Sequence, residues 1–342
     1  MVSLNQHGVR RFGMAYFFVL LALMQVSVIL APAANGQPID SLQDAQKAYQ
    51  DSDYPKAIQL AGEAANANPQ DPKIQLLLTK AHLESQQYDA AIRSAEKAVA
   101  LDPKSSVYHE WLGRAYGEKA DHSSFMSALG FAKKTRKEFQ AAVELDGQNF
   151  TARQAVIEFD CAAPAMAGGG EEKARPEIAQ MAQLDAAEGH YAEANCRRQK
   201  KDLPAADAGF KKALQANLKS EERVFDVGDY AVRRNDAEML LTVASLGAKL
   251  GPEDPRPKFY RAVALVLKKQ SAEDAEGLLR EYLKQAPARS GYPRATTAHY
   301  WLGQAFESQK NEGAARAEYE TALKLDSKNK NAQEALKKLK KG

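Results

Sequence analysis

The hydrophobic pattern divides the chain in two. Met14 to Leu30 is apolar apart from Gln25 and Ser27, whereas from Pro38 onward apolar and polar positions alternate in a frame that returns. Tyr54-Pro-Lys-Ala57-Ile recurs as Tyr88-Asp-Ala-Ala91-Ile, and Asn68-Pro69 recurs as Asp102-Pro103, both at a shift of 34 residues. The same frame gives Trp111-Leu112-Gly113-x-x-Tyr116 and Trp301-Leu302-Gly303-x-x-Phe306. Each is followed by an amphipathic block ending in Asp146 or Asp326. A period of this size marks a repeat architecture, in which one supersecondary unit buries its apolar face only against its neighbours.

These residues resemble the tetratricopeptide repeat, whose unit is two antiparallel helices. The resemblance implies an all-α fold, a right-handed superhelical solenoid of antiparallel helix pairs. Small residues at positions 8 and 20 let paired helices cross closely, which here sets Gly113, Gly228 and Gly303 against Ala57, Ala91, Ala206, Ala275 and Ala315. Phe139, Phe210 and Tyr319 fill position 24, and Pro69, Pro103, Pro252 and Pro287 end second helices, since proline cannot continue a helix and restricts the residue before it. Counting from Pro38 gives units at 38–71, 72–105, 106–149, 150–186, 187–220, 221–255, 256–295 and 296–329. Residues 330–342 follow as a capping helix with an Ala332/Leu336/Leu339 face.

Three departures from the period stand out. About ten residues near Asp121 to Phe131 intervene between the helices of the third unit, the fourth unit has the turn Ala162 to Ala174 with three consecutive glycines, and six residues from Ser290 to Ala295 precede the eighth unit. Together with Lys133 to Phe139 and Leu184 to His190, the first two are similar to an arrangement in exported bacterial proteins of the same repeat family, over about residues 108–215. Pro176 is expected in the first turn of its helix, because an interior proline costs about 3 kcal/mol. The Gly168-Gly169-Gly170 run lacks the Gly-Lys-Ser/Thr of a phosphate loop, is followed by Glu171-Glu172, and reads as a long flexible turn.

The N-terminal block reads as a targeting segment. Arg10 and Arg11 precede the apolar run, and small residues at Ala31, Ala33, Ala34 and Gly36 follow it, so residues 1–36 are expected to be a signal peptide cleaved after Ala33 or Gly36. The alternative is an uncleaved anchor in the inner membrane over residues 14–34. Either way the chain is expected to be exported, periplasmic or secreted.

Charge then narrows the partners. The chain carries 47 Lys+Arg against 44 Asp+Glu, and removing Arg10 and Arg11 with residues 1–36 leaves 45 against 44. A mature chain near +1 is not steered to nucleic acid or membrane surfaces. Alanine contributes 61 residues, which fits closely packed helices. The six histidines show no metal-ligand spacing; His109, His190 and His299 fall at a packing position, and no catalytic motif, cofactor or metal site is expected. Cys161 and Cys196 could pair only if their Cα atoms came within about 7 Å, and buried free thiols are the plainer reading.

What remains is binding. In such solenoids the first helix of each unit lines the concave face, and the corresponding positions here include Trp111, Tyr191, Phe225, Tyr260, Tyr300 and Trp301, with Arg114 among the charges. Aromatic anchors on a rigid surface suit a protein or peptide partner. The competing reading is that degenerate units bury these rings between helices. Neighbouring charges, among them Glu110, Glu158, Glu188, Arg198 and Asp226, do not reproduce the Lys/Asn/Arg clamp that holds a C-terminal carboxylate in some members of the family. The expected function is a non-catalytic scaffold binding a protein or peptide on its concave face in the cell envelope. The alternatives are a membrane-anchored assembly factor, or an enzyme or transport component that uses the insertions of the third and fourth units as a small-ligand pocket.

Overall fold

The computed structural model describes residues 38–288 and 291–339. The targeting segment and its cleavage or anchor alternatives lie outside the described residues, as does the end of the cap. The described residues form helices and turns without strands. In chain order the helix pairs are α1 (Pro38–Gln50) with α2 (Tyr54–Ala67), α3 (Pro72–Glu84) with α4 (Tyr88–Leu101), α5 (Ser106–Asp121) with α6 (Phe125–Leu145) and α7 (Phe150–Ala162) with α8 (Glu171–Leu184). Then come α9 (Ala186–Gln199) with α10 (Leu203–Gln215), α11 (Glu221–Arg234) with α12 (Ala237–Leu250), α13 (Arg256–Lys268) with α14 (Ala272–Gln285) and α15 (Ala295–Ser308) with α16 (Glu312–Leu325). α17 (Lys330–Leu339) follows. Each helix packs on its partner and on the next pair, which is an all-α repeat solenoid.

Local chemistry sets the helix ends. Asp53, Asp71, Ser105, Asn149, Asp185, Asp202, Ser220, Asp236 and Asn311 each accept a hydrogen bond from a first-turn backbone N–H, a cap worth about 1 kcal/mol. At the other end, α2, α4, α12 and α14 each stop two residues before Pro69, Pro103, Pro252 and Pro287. Proline forces its predecessor out of the helical region, so the stop is written one residue earlier than the proline itself.

Three local expectations are corrected. The residues near Asp121 to Phe131 are not an intervening loop: α5 runs to Asp121, Ser124 occupies the N-cap position and α6 starts at Phe125, so the insertion lengthens both helices and projects a helical tip. Pro176 lies in the interior of α8 rather than its first turn. The glycines at position 8 meet rings, not the position 20 alanines: Gly113 faces Phe139, Gly303 faces Tyr319 and Gly228 faces Tyr260 of the following pair.

The core is uneven along the stack. One apolar cluster runs from Ala187 to Ala335 through the last four pairs and into α17. The fourth pair has a small cluster of its own, Ile157, Cys161, Ala174, Ile178, Met181, Ala192 and Cys196. Around it, polar pairings take over. Arg136 holds the fully buried Asp160 through two hydrogen bonds of 2.7 and 3.0 Å, and the buried Arg153 pairs with Glu177. Cys161 and Cys196 form a disulfide with Cα atoms 5.5 Å apart, which corrects the free-thiol reading.

Candidate binding groove

A groove lies beside the fourth pair. Its volume is about 790 Å³, and first helices α5, α7, α9 and α11 supply one wall after another. The projecting start of α6 gives Phe125, Ala128 and Leu129, and the turn after α7 gives Ala163, Pro164 and Ala167. The two insertions of the third and fourth units therefore border the same space.

The turn that borders the groove has a defined hydrogen-bonded shape. Residues Ala165–Ala167 make a single 3-10 turn, and Gly168 and Gly170 take φ of 99° and 137°, a region open mainly to glycine. Gly170 N donates to Asp160 O at 2.8 Å and Lys173 Nζ to Gly168 O at 2.6 Å. Asp160 is the residue that Arg136 clamps, so the turn is tied to α6 through two side chains.

The floor of the groove is polar. Glu158 on α7 receives hydrogen bonds from Gln154 Nε2 at 3.0 Å and from Asn195 Nδ2, both on its Oε1. Burial, and then the nearby Asp226, push the Glu158 carboxyl above its ordinary value, against the pull of Gln154, Arg198 and Arg114. Asp226 on α11 accepts from Tyr191 Oη at 2.8 Å and from Arg198 at 3.0 Å. Arg223 is buried against Glu188 at 2.8 Å.

The predicted site residues separate into two groups. Tyr191, Phe225, Tyr260 and Trp301 are buried in the stack. Tyr260 and Phe225 stack on each other at 5.9 Å, and Arg256 lies 3.8 Å from the Phe225 ring. Trp111, Arg114 and Tyr300 are half-buried. Lys80 Nζ and the Arg114 guanidinium sit 4.7 and 5.1 Å from the Trp111 ring, and Arg114 also bonds Glu110 at 3.1 Å. Of the predicted residues, Arg114 and Tyr191 border the 790 Å³ groove; Tyr300 and Trp301 border a separate, more polar cavity of about 720 Å³ with Arg233 and Asn329.

Sequence reasoning missed Gln154 and Phe159 as groove residues, whereas Leu129 falls in the Asp121 to Phe131 insertion of the small-ligand alternative. Gln154 and Glu158 stand at positions 5 and 9 of their unit, one helical turn apart on one face, and that spacing was the available signal. Of the position 4 histidines, His109 and His299 bond Glu138 and Glu318, each at 2.7 Å, whereas His190 is exposed. Among the described residues no group of three His, Cys, Asp or Glu side chains is placed to hold a metal ion, and no helix is long and apolar enough to cross a membrane.

Two family models, both described as tetratricopeptide repeat, match residues 48–115 and 267–330. No curated protein matches the chain. Among solved structures it is similar to a thermophilic TPR protein of Thermus thermophilus, at 19% identity over 61% of this chain and 98% of that one, with a TM-score of 0.45. A tetratricopeptide repeat protein of Parabacteroides merdae matches at 11% identity, 88% and 98% coverage and a TM-score of 0.39. YrrB, described as a TPR protein with an unusual peptide-binding site, matches at 15% identity, 72% and 100% coverage and a TM-score of 0.36.

Proposed function

We propose, for a chain that belongs to the tetratricopeptide repeat family, that it is a non-catalytic scaffold of the cell envelope and holds a protein or peptide partner in the groove of α5, α6, α7, α9 and α11. The observation that carries this reading is the groove itself: α7 brings Ala155 and Phe159, and the projecting start of α6 brings Phe125 and Leu129, above a polar floor. Phe125 and the adjacent Met126 are 66% and 76% exposed, an apolar edge unusual for a free surface. A preformed apolar cleft with a few convergent polar groups is how proteins present a binding site.

Export to the periplasm or beyond is part of the proposal. Its supports are the apolar segment after Arg10-Arg11 and the Cys161–Cys196 disulfide, a bond that persists in oxidising compartments. Whether residues 1–36 leave the chain is read from the intact mass of the envelope form.

The test is capture from envelope extract by the full chain and by a Phe125→Ser, Leu129→Ser variant. Loss of specific partners from the variant is expected; an unchanged partner list removes this groove as the binding surface. A second reading, a small-ligand pocket, is favoured by the two insertions bordering one cavity of about 790 Å³, a size typical of such sites. Stabilisation of the purified chain by a small molecule, abolished by the same two substitutions, would support it in place of the scaffold.

A further inference from the structure

The polar floor of the groove has acceptors without donors. Gln154 is only 6% exposed, yet its Oε1 accepts no hydrogen bond, while its Nε2 is fixed on Glu158. That bond decides which end of the amide is oxygen. A buried polar atom left unpaired costs about 1–3 kcal/mol, and a native protein retains one where something else fills the bond. Glu158, half-buried, adds an acceptor that is open without being buried. Both amide donors converge on its Oε1, and among the described residues neither a hydrogen bond nor an Arg or Lys nitrogen within 4.0 Å reaches Oε2. Gln199, further along the same groove, also holds a buried Oε1 without a donor.

Charge around these acceptors is lopsided in the same direction. Each arginine bordering the groove already has a carboxylate: Arg114 has Glu110, Arg198 has Asp226 and Arg223 has Glu188. Of the acids bordering it, Asp121, Glu158 and Glu222 have no ion-pair partner among the described residues. The groove thus has its cations neutralised and its anions open. A negative ligand would meet Glu158 in a desolvated position with no donor to receive it. A positive N–H donor would pair the open Glu158 Oε2 and relieve the cost of holding a half-buried carboxylate.

Above that floor the walls are apolar. Phe125, Leu129 and Phe159 line the groove with several alanines, so the site is amphipathic from rim to floor. We propose that the groove binds an extended peptide whose lysine or arginine side chain donates to Glu158 Oε2, which Gln154 fixes in place, while an adjacent apolar residue packs on Phe125, Leu129 and Phe159. This deepens the scaffold reading and rests on it, since it names the partner chemistry for the same groove.

The test uses the purified full chain and three fluorescein-labelled, amidated pentapeptide pools. Each has mixed apolar residues around a central lysine, norleucine or glutamate, read by fluorescence anisotropy. The lysine pool is expected to bind about tenfold or more tightly than the norleucine pool, the scale of one charge-assisted hydrogen bond. That preference should fall close to unity in Glu158→Gln, and Gln154→Leu should weaken the lysine pool several-fold, with circular dichroism confirming that both variants remain helical. Equal binding of lysine and norleucine pools, or a preference that survives in both variants, overturns the cationic subsite and leaves the peptide-binding groove standing. Failure of every pool to bind overturns both. An n-pentylamine competitor distinguishes the source: displacement of the lysine pool at equal concentration would assign the floor to a small free amine and overturn the peptide.

Discussion

Tyr260 donates its hydroxyl to Asp229 Oδ1 at 2.8 Å, reaching from α13 back to α11 across a repeat boundary. The same hydroxyl lies 3.1 Å from the carbonyl oxygen of Phe225, and the ring fills the space that Gly228 leaves open. Tyr191 repeats the arrangement on Asp226 at 2.8 Å, from α9 forward to α11. Tyrosines at these positions are therefore clamps between neighbouring units, and Tyr191 is one while also bordering the groove. Removing only the hydroxyl leaves the partly buried Asp229 carboxylate short of a donor, so Tyr260→Phe should destabilise by about 1–3 kcal/mol. Tyr260→Ala also opens a cavity and should cost about 3–5 kcal/mol. Denaturant midpoints of the two variants check the order.

The helix pairs were legible because their punctuation is local. Prolines two residues past a helix end and Asp, Asn or Ser at the caps act within a few residues of the chain. The burial of Tyr191, Phe225, Tyr260 and Trp301 was not, since a first helix in this stack is covered by neighbours on both sides. The Asp121 to Phe131 insertion was misread although Ser124 held the signal of a helix start. Glu158 was recognisable as a groove charge, but its unpaired Oε2 depends on where α9 puts Asn195 and Arg198, some forty residues later in the chain.

The disulfide carries the second expectation. Cys161 and Cys196 join α7 to α9 across a sequence separation of 35, and both belong to the apolar cluster between those helices. Closing a loop of that length is worth about 4 kcal/mol in the chain-entropy account. Cys161→Ala with Cys196→Ala should lower unfolding free energy by about 2–4 kcal/mol. The reductant dithiothreitol should move the wild-type midpoint toward that of the variant and leave the variant unchanged. A midpoint in the wild type insensitive to reductant would show that the fourth pair is held by Arg136–Asp160 and Arg153–Glu177 instead.

Glycines divide by what stands opposite them. A Cβ at Gly189 would come inside 3.0 Å of the Ala182 backbone on α8, which cannot rotate away. Gly189→Ala should therefore separate α8 from α9 and destabilise by about 1–3 kcal/mol. Gly62, in the middle of α2, has nothing within 4 Å of such a Cβ. Gly62→Ala should instead stabilise by about 0.5–1 kcal/mol through helix propensity. Opposite signs in thermal melts of the two variants are the expected result.

Two carboxylates should respond to pH in opposite senses. Asp207 is held below its ordinary 3.8 by hydrogen bonds from Arg234, against some burial, with help from Tyr230. Its contribution is present above that value and lost as pH falls through the depressed pKa, so Asp207→Asn should destabilise at neutral pH and match the wild type in acid. Glu158 is pushed above its ordinary 4.5, chiefly by burial. The folded state binds that proton more tightly than the unfolded state, so the group favours folding below 4.5 and costs stability as pH rises through the elevated pKa. Gln keeps an oxygen for Gln154 and Asn195 without a charge to bury. Glu158→Gln should accordingly raise the melting temperature at neutral pH, with the gain shrinking as the solution is made acidic. A variant that is more stable yet loses its preference for lysine peptides would separate what Glu158 does for the fold from what it does in the groove, because destabilisation could not then account for the lost binding. Melts of the two variants from about pH 3 to pH 8 decide the matter, and a Glu158→Gln melting temperature below that of the wild type at neutral pH would show that the carboxylate is solvated rather than buried.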